Sequence, residues 1–340
     1  MDRWKARSAR PLDREAGRPV TVAVATSEYW PMAPEFPPID LVAWPMANAV
    51  LTTSVGSIYD DLPEFRYHFP RTYLNQIQAA VGDWIVYYEP RRSQGGGRQA
   101  YFAMARVLRV EADPDLQDHF YACMDGYLEF DHPVGFQGQG AYWEAGLQKT
   151  DGTTNKGAFG RAVRTLPIEE FEGIVRAGFQ RELAPWEIKD ATLAQGVAED
   201  VVAYDARPLV AQCITRPFRE EAFRRKVREA YQNTCAFSGL RLINGGGRPE
   251  VQAAHIRPVA SQGPDSVRNG LALTGTLHWL FDRGLLAVGE DLRILVSPQG
   301  LPDDIGRLLR PDRRVVLPAA PDQRPHPVFL VWHREHVFKA

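Results

Sequence analysis

An α+β fold is predicted for this 340-residue chain, and three observations predict it. Residues 20 to about 180 alternate short apolar runs with turn residues, the pattern of a mostly β region carrying few helices. "PIEEFEGIVRAGF" and "FREEAFRRKVREAYQN" instead repeat apolar residues at helical spacing. The stretch "EVQAAHIRPVASQGPDSVRNGLALTGTLHWLFDRG", residues 250–284, reads as strand, loop, strand and helix.

Composition sets the outer bounds. Charged residues make up 24% of the chain, as in an ordinary soluble protein, and 40 basic against 42 acidic side chains leave a net charge of −2. So weak a global field cannot by itself recruit an anionic partner, and any such affinity must come from a local patch. Cys123, Cys213 and Cys235 are far apart and odd in number. They form no CxxC pair, which excludes a disulfide framework and a four-cysteine zinc knuckle and suits a reducing cytoplasm. The basic N-terminus lacks the apolar core of a secretory signal. "LVAWPMANAVL" is too short to cross a bilayer and contains Pro45, so no membrane association is expected.

Residues 1–17 hold five basic side chains and little to bury, and are expected to be a flexible tail. Residues 18–180 form the mostly β region. Within it "GDWIVYYEP" and "RQAYFAMARVLRV" read as strands flanking an exposed "RRSQGGG" loop, and "YACMDGYLEF" supplies a further strand or strand pair. Phe171, Ile174, Val175 and Phe179 form the apolar stripe of a closing helix. Residues 181–215 are irregular and read as a connector, and residues 216–340 as a second domain. That domain opens with a helix whose apolar side carries Phe218, Ala222, Phe223, Val227, Ala230 and Tyr231. Its cations Arg219, Arg225, Lys226 and Arg228 suit either a solvated face or contact with a DNA backbone.

In residues 250–284 the strand "EVQAAHI" is stopped by Pro258, Gly263 and Pro264 turn the loop, and "LAL" forms the second strand. Thr274 or Thr276 caps the following helix and Gly284 ends it. Leu277, Leu280 and Phe281 pack on the strands, while His278 and Asp282, four residues apart, share an adjoining face. An imidazole and a carboxylate one turn apart can hold one divalent cation. Asn269, at the loop-to-strand junction, can bond a neighbouring imidazole or carbonyl and fix its orientation. The closing "VFLVWHREHVFKA" alternates apolar and polar residues, as a strand passing into a short helix would.

The residues "CAFSG", "EVQAAHIRPV" and "SVRNGLALTGTLHWLFDRGLLAV" together resemble the HNH endonuclease family, in its restriction-endonuclease branch. The resemblance covers roughly residues 217–340 and implies a ββα-metal finger. It implies that His255 is the general base, that Asn269 holds the His255 ring or its loop, and that His278 binds a divalent ion: magnesium, manganese or another transition metal. Asp282 stands where some nuclease toxins of this fold carry a second helix ligand. One departure is Ala254, since many members have Asp or His there as a further ligand; Gln252, on the same strand face, is a poor substitute.

"VGDWIVYY" followed by "YFAMARV" is similar to PUA-like domains, the superfamily of EVE, ASCH and SRA modules. That likeness implies a PUA-like barrel that takes a flipped, modified base of double-stranded DNA, methyl- or hydroxymethylcytosine by family analogy. Stacking candidates are Trp30, Trp84, Tyr87, Tyr88, Tyr101 and Tyr127. Asp83, Asp125 and Asp131 are candidates to read a base edge, and Arg91, Arg92 and Arg98 to hold phosphates. Each of these also fits an ordinary core aromatic or a solvated charge. The combined expectation is a modification-dependent restriction endonuclease acting in phage defence. It would work as a homodimer, since one finger cuts one strand. The alternatives are an HNH nuclease with another trigger (toxin, nickase or ligand-activated enzyme) and a DNA-binding protein whose nuclease site has weakened at Ala254.

Overall fold

The computed structural model describes residues 48–54, 59–91, 97–138, 140–180, 211 and 213–340. The basic tail, Trp30, Arg92 and nearly all of the expected connector lie outside the described residues. Pro45–Ala340 form one compact unit. Among the described residues no helix is long and apolar enough to cross a membrane.

The N-terminal part is built on strands β1 (Asn48–Thr52), β2 (Arg66–Pro70), β3 (Trp84–Glu89), β4 (Ala100–Ala112) and β5 (His119–Gly135). A small pair, β6 (Gln137–Gly138) and β7 (Ala141–Tyr142), precedes β8 (Val163–Leu166). Six of these make one sheet in the order β2-β5-β4-β3-β1-β8, antiparallel except for the β1–β3 pair. "YACMDGYLEF" lies within a single 17-residue strand, β5, whose pairing with β4 slips in register at three places. Each slip adds local bend, so long strands of this kind curl.

Both faces of the sheet are covered, and the period-2 alternation of each strand sorts its side chains between two cores. Val86 and Tyr88 of β3 enter one core with Phe171, Ile174 and Val175. Ile85 and Tyr87 enter the other, with Ile77. Among the described residues three α-helices belong to this part: α1 (Leu74–Ala79), α2 (Lys156–Phe159) and α3 (Ile168–Gly178). The last is the expected closing helix, with Glu169 and Glu170 in its first turn and Arg176 in its last, complementing the helix dipole.

The C-terminal part begins with α4 (Arg216–Ala230), where Pro217 occupies the first turn that tolerates it. Strands β9 (Gln252–His255) and β10 (Gly270–Leu273) pair antiparallel, with His255 opposite Gly270 and Ala254 opposite Leu271. Helix α5 (Gly275–Asp282) follows, then the hairpin β11 (Leu286–Val288) and β12 (Ile294–Val296). Thr274 is the residue before α5 but makes no side-chain cap; the amide of Gly275 bonds Glu250 Oε1 instead. Gly284 ends the helix at φ +70°, and a Cβ there would lie 1.9 Å from the carbonyl oxygen of Val337.

The C-terminus differs from the strand-then-helix expectation. "PVFLVWHREH" is one helix, α6 (Pro327–His336), burying Phe329, Leu330 and His333. His326 Nδ1 accepts from the Val328 amide and so caps it. Short segments satisfy both periods, and here the cap and Pro327 decide for the helical one. Within it His333 stacks on Phe281 at 3.9 Å, and burial pushes its imidazole down to about 4.

Candidate active site

The site forms where β9, the loop after it and α5 converge. His255 ends β9, its ring lying flat on Phe223 of α4 at 3.8 Å and 13°. Its Nε2 is 3.0 Å from Asp265 Oδ1. Arg219 of α4 donates from Nε to the other oxygen of that carboxylate at 2.7 Å. Burial alone would raise the Asp265 carboxyl, but the His255 bond and the Arg219 charge outweigh it and hold it below the ordinary carboxylate range. The stability contributed by Asp265 is accordingly present above the usual carboxylate pKa and lost only as pH falls through the depressed value. An ionised carboxylate only accepts, so in the neutral ring it is Nε2 of His255 that carries the proton. The Nδ1 lone pair is left to take a proton.

Asn269, completely buried, closes the loop from inside. Its Oδ1 accepts from the amide of Arg257, and its Nδ2 donates to the carbonyls of Arg257 and Pro264, all at 2.9 Å. It therefore staples the loop and leaves the ring to Asp265. Gly263 lies against this staple; a Cβ there would be 1.8 Å from the Arg257 carbonyl oxygen and 2.9 Å from Asn269 Nδ2.

On α5, His278 Nε2 and Asp282 Oδ2 are 3.3 Å apart. Neighbouring ligands of an octahedral ion, each about 2.1 Å from it, are about 3 Å apart, so the pair fits one small divalent cation. Gln252 Oε1 accepts from His278 Nδ1 at 2.9 Å, so in the neutral ring Nε2, on the side of Asp282, is the nitrogen available to a cation. Gln252 is thus placed to orient a ligand, a role the sequence did not suggest. Ala254 is completely buried in the core. Among the described residues no group of three or more His, Cys, Asp and Glu side chains is placed to share a metal.

Beside His278 opens a groove of about 870 Å³, lined by Arg224, Arg228, Arg248, Leu242, Ile243 and Gln252 among others. The cations of α4 thus divide. Arg224 and Arg228 face the groove, whereas Arg219 holds Asp265, Arg225 bonds Asp131 at 2.9 Å and Lys226 bonds the Glu129 carbonyl.

Among the described residues the candidates for base reading do not converge. Tyr87, Tyr88, Tyr101 and Tyr127 are buried core side chains, which corrects the expectation that their rings face a base pocket. Tyr87 hydroxyl donates to the Pro63 carbonyl, and Tyr101 hydroxyl to Glu144, itself paired with Arg164. Trp84 is partly exposed but packs over Gly126, where a Cβ would be 2.7 Å from its ring. Asp125 lies 3.5 Å from Arg106, and Asp131 is buried against Arg225. Asp83 lies in the turn before β3, its carbonyl accepting from Val107. Arg91 is exposed, and Arg98 bonds Glu89 at 2.6 Å and reaches Asp322 at 3.4 Å.

This strand–loop–strand–helix therefore brings a carboxylate-held histidine beside a histidine–carboxylate pair. Residues 235–289 match the model of an HNH endonuclease family, and this part of the chain carries an HNH endonuclease domain. No curated protein matches the chain. Similar solved structures include a modification-dependent TagI restriction endonuclease, at 15% identity, 85% of this chain, 81% of that one and a TM-score of 0.27. Another is the Type IV phosphorothioation-dependent restriction endonuclease ScoMcrA, at 16% identity, 68% of this chain and a TM-score of 0.17; this chain spans 46% of its length.

Proposed function

We propose that this chain is a divalent-metal-dependent DNA endonuclease that cuts modified DNA. The observation that carries the nuclease reading is the pairing of His255 with Asp265 beside the His278–Asp282 pair. In this reading His255 Nδ1 takes the proton of the attacking water, and Asp265 steadies the ring as it becomes charged. His278 and Asp282 hold the metal, which when bound supplies electrostatic stabilisation at the scissile phosphate. Gln252 keeps His278 turned toward it. Arg224, Arg228 and Arg248 receive the flanking phosphates. A homodimer would let two such sites cut both strands.

The metal assignment has its own test. Gln252→Ala weakens manganese binding about tenfold and Asp282→Asn more, by calorimetric titration. Unchanged affinity in both would remove this pair from the metal site.

The direction to modified bases rests on the sequence likeness of residues 18–180 to PUA-like modules. It is tested on matched phage genomes containing cytosine, methylcytosine or glucosylated hydroxymethylcytosine. A modification-dependent enzyme cleaves a modified genome at least about a hundredfold faster than the unmodified one. Equal rates on all three would leave a nuclease with another trigger. The reading as a DNA-binding protein with a weakened nuclease draws on the two-residue metal pair and buried Ala254. Its signature is equal inertness of wild type and His255→Ala with magnesium, manganese, cobalt and nickel.

A further inference from the structure

Ser266, next in sequence to Asp265, is completely buried. Its hydroxyl lies 3.1 Å from Glu64 Oε1 and 3.0 Å from Glu129 Oε1. Glu64 precedes β2 and Glu129 belongs to β5, so both carboxylates come from the sheet half, 202 and 137 residues away along the chain. A hydroxyl carries one proton and serves one of the two acceptors at a time. The charges around it are arranged to tolerate this. Arg268 pairs with Glu64 at 3.2 Å, and its amide donates to Ser266 Oγ. Burial, partly offset by Lys226, raises the Glu129 carboxyl.

A second route runs from the same strand to the same histidine. The Glu129 carbonyl holds Lys226 and the Asp131 carboxylate holds Arg225, both on α4. One face of that helix then supplies Arg219 to Asp265 and Phe223 to the His255 ring. Residues 129–131 of β5 thus fix both the loop that carries Asp265 and the helix on which His255 rests.

We propose that Ser266 is a positioning residue through which Glu64 and Glu129 of the sheet half hold Asp265 in line with His255, so that cutting depends on the conformation of β5. The inference rests on the nuclease reading above. Its energetic logic is local: a buried serine that loses both carboxylate partners frees its loop, and misplacing a catalytic group by about 1 Å can cost a hundredfold in rate.

The test is a double-mutant cycle in single-turnover plasmid cleavage by the full chain. Ser266→Ala should slow cleavage about tenfold in the wild-type background and less than about twofold in Asp265→Asn, because the two act through one contact. DNA affinity should stay within about twofold, and Ser266→Thr, which keeps the hydroxyl, should restore most of the rate. Equal losses in both backgrounds, or no loss in either, overturn the proposal. If calorimetry shows that Ser266→Ala does not fold, Glu129→Gln takes its place in the cycle. If wild type cuts nothing with any of the four metals, the nuclease reading fails. The positioning role is then judged by the Nε2 ring proton of His255, bonded to Asp265, in nuclear magnetic resonance, which Ser266→Ala should broaden or shift; an unchanged signal overturns it.

Discussion

His255→Ala lowers the single-turnover rate of DNA cleavage by about a thousandfold while DNA affinity stays within about twofold. In the proposed reading the His255 imidazole is the proton acceptor, and alanine removes it. The variant should still fold, because the ring is partly exposed and Asp265 keeps its bond to Arg219, so no buried charge is left alone. Plasmid cleavage at fixed manganese, with binding followed separately, measures both quantities. A residual rate above about one tenth of wild type would assign proton abstraction to another group.

Gly263→Ala should be nearly as damaging by a different route. The added methyl would stand 1.8 Å from a backbone oxygen, and a carbonyl cannot step aside as a flexible side chain can. The loop must open, and opening it breaks the Asn269 bonds to Arg257 and Pro264. Three partly buried hydrogen bonds at about 1 kcal/mol each put the loss near 3 kcal/mol. Cleavage should fall about a hundredfold as Asp265 leaves its position. Chemical denaturation and cleavage assays check the two numbers, and a midpoint and rate equal to wild type would show that the loop is not stapled in this way.

Much of the site was legible in the sequence because its chemistry is local. His278 and Asp282 are one helical turn apart, and the strand, loop, strand and helix around them follow from Pro258, Gly263 and Gly284. Asp265 was not legible: it lies in the polar loop "ASQGPDSVR", where one carboxylate looks like any solvated acid. The signal that marks it is spatial, the arrival of Arg219 from 46 residues away. Glu64 and Glu129 are further still from Ser266, beyond any periodicity. The aromatic candidates failed for a related reason. A strand covered on both faces buries its odd and even positions alike, so Tyr87 and Tyr88 carry no mark of which is open.

The sharing of α4 between protein and groove also limits how hard this site grips DNA. With Arg219, Arg225 and Lys226 turned to partners inside the protein, the groove is lined by three cations, Arg224, Arg228 and Arg248, and Arg224 also pairs with Glu220 at 3.2 Å. Three phosphate contacts release few condensed counterions, giving a log–log dependence of affinity on salt with a slope of only about −2.7. On the proposed reading such a cleft would let go of ordinary genomic DNA quickly, and its dwell time at any cut site would be set by whatever else holds the duplex.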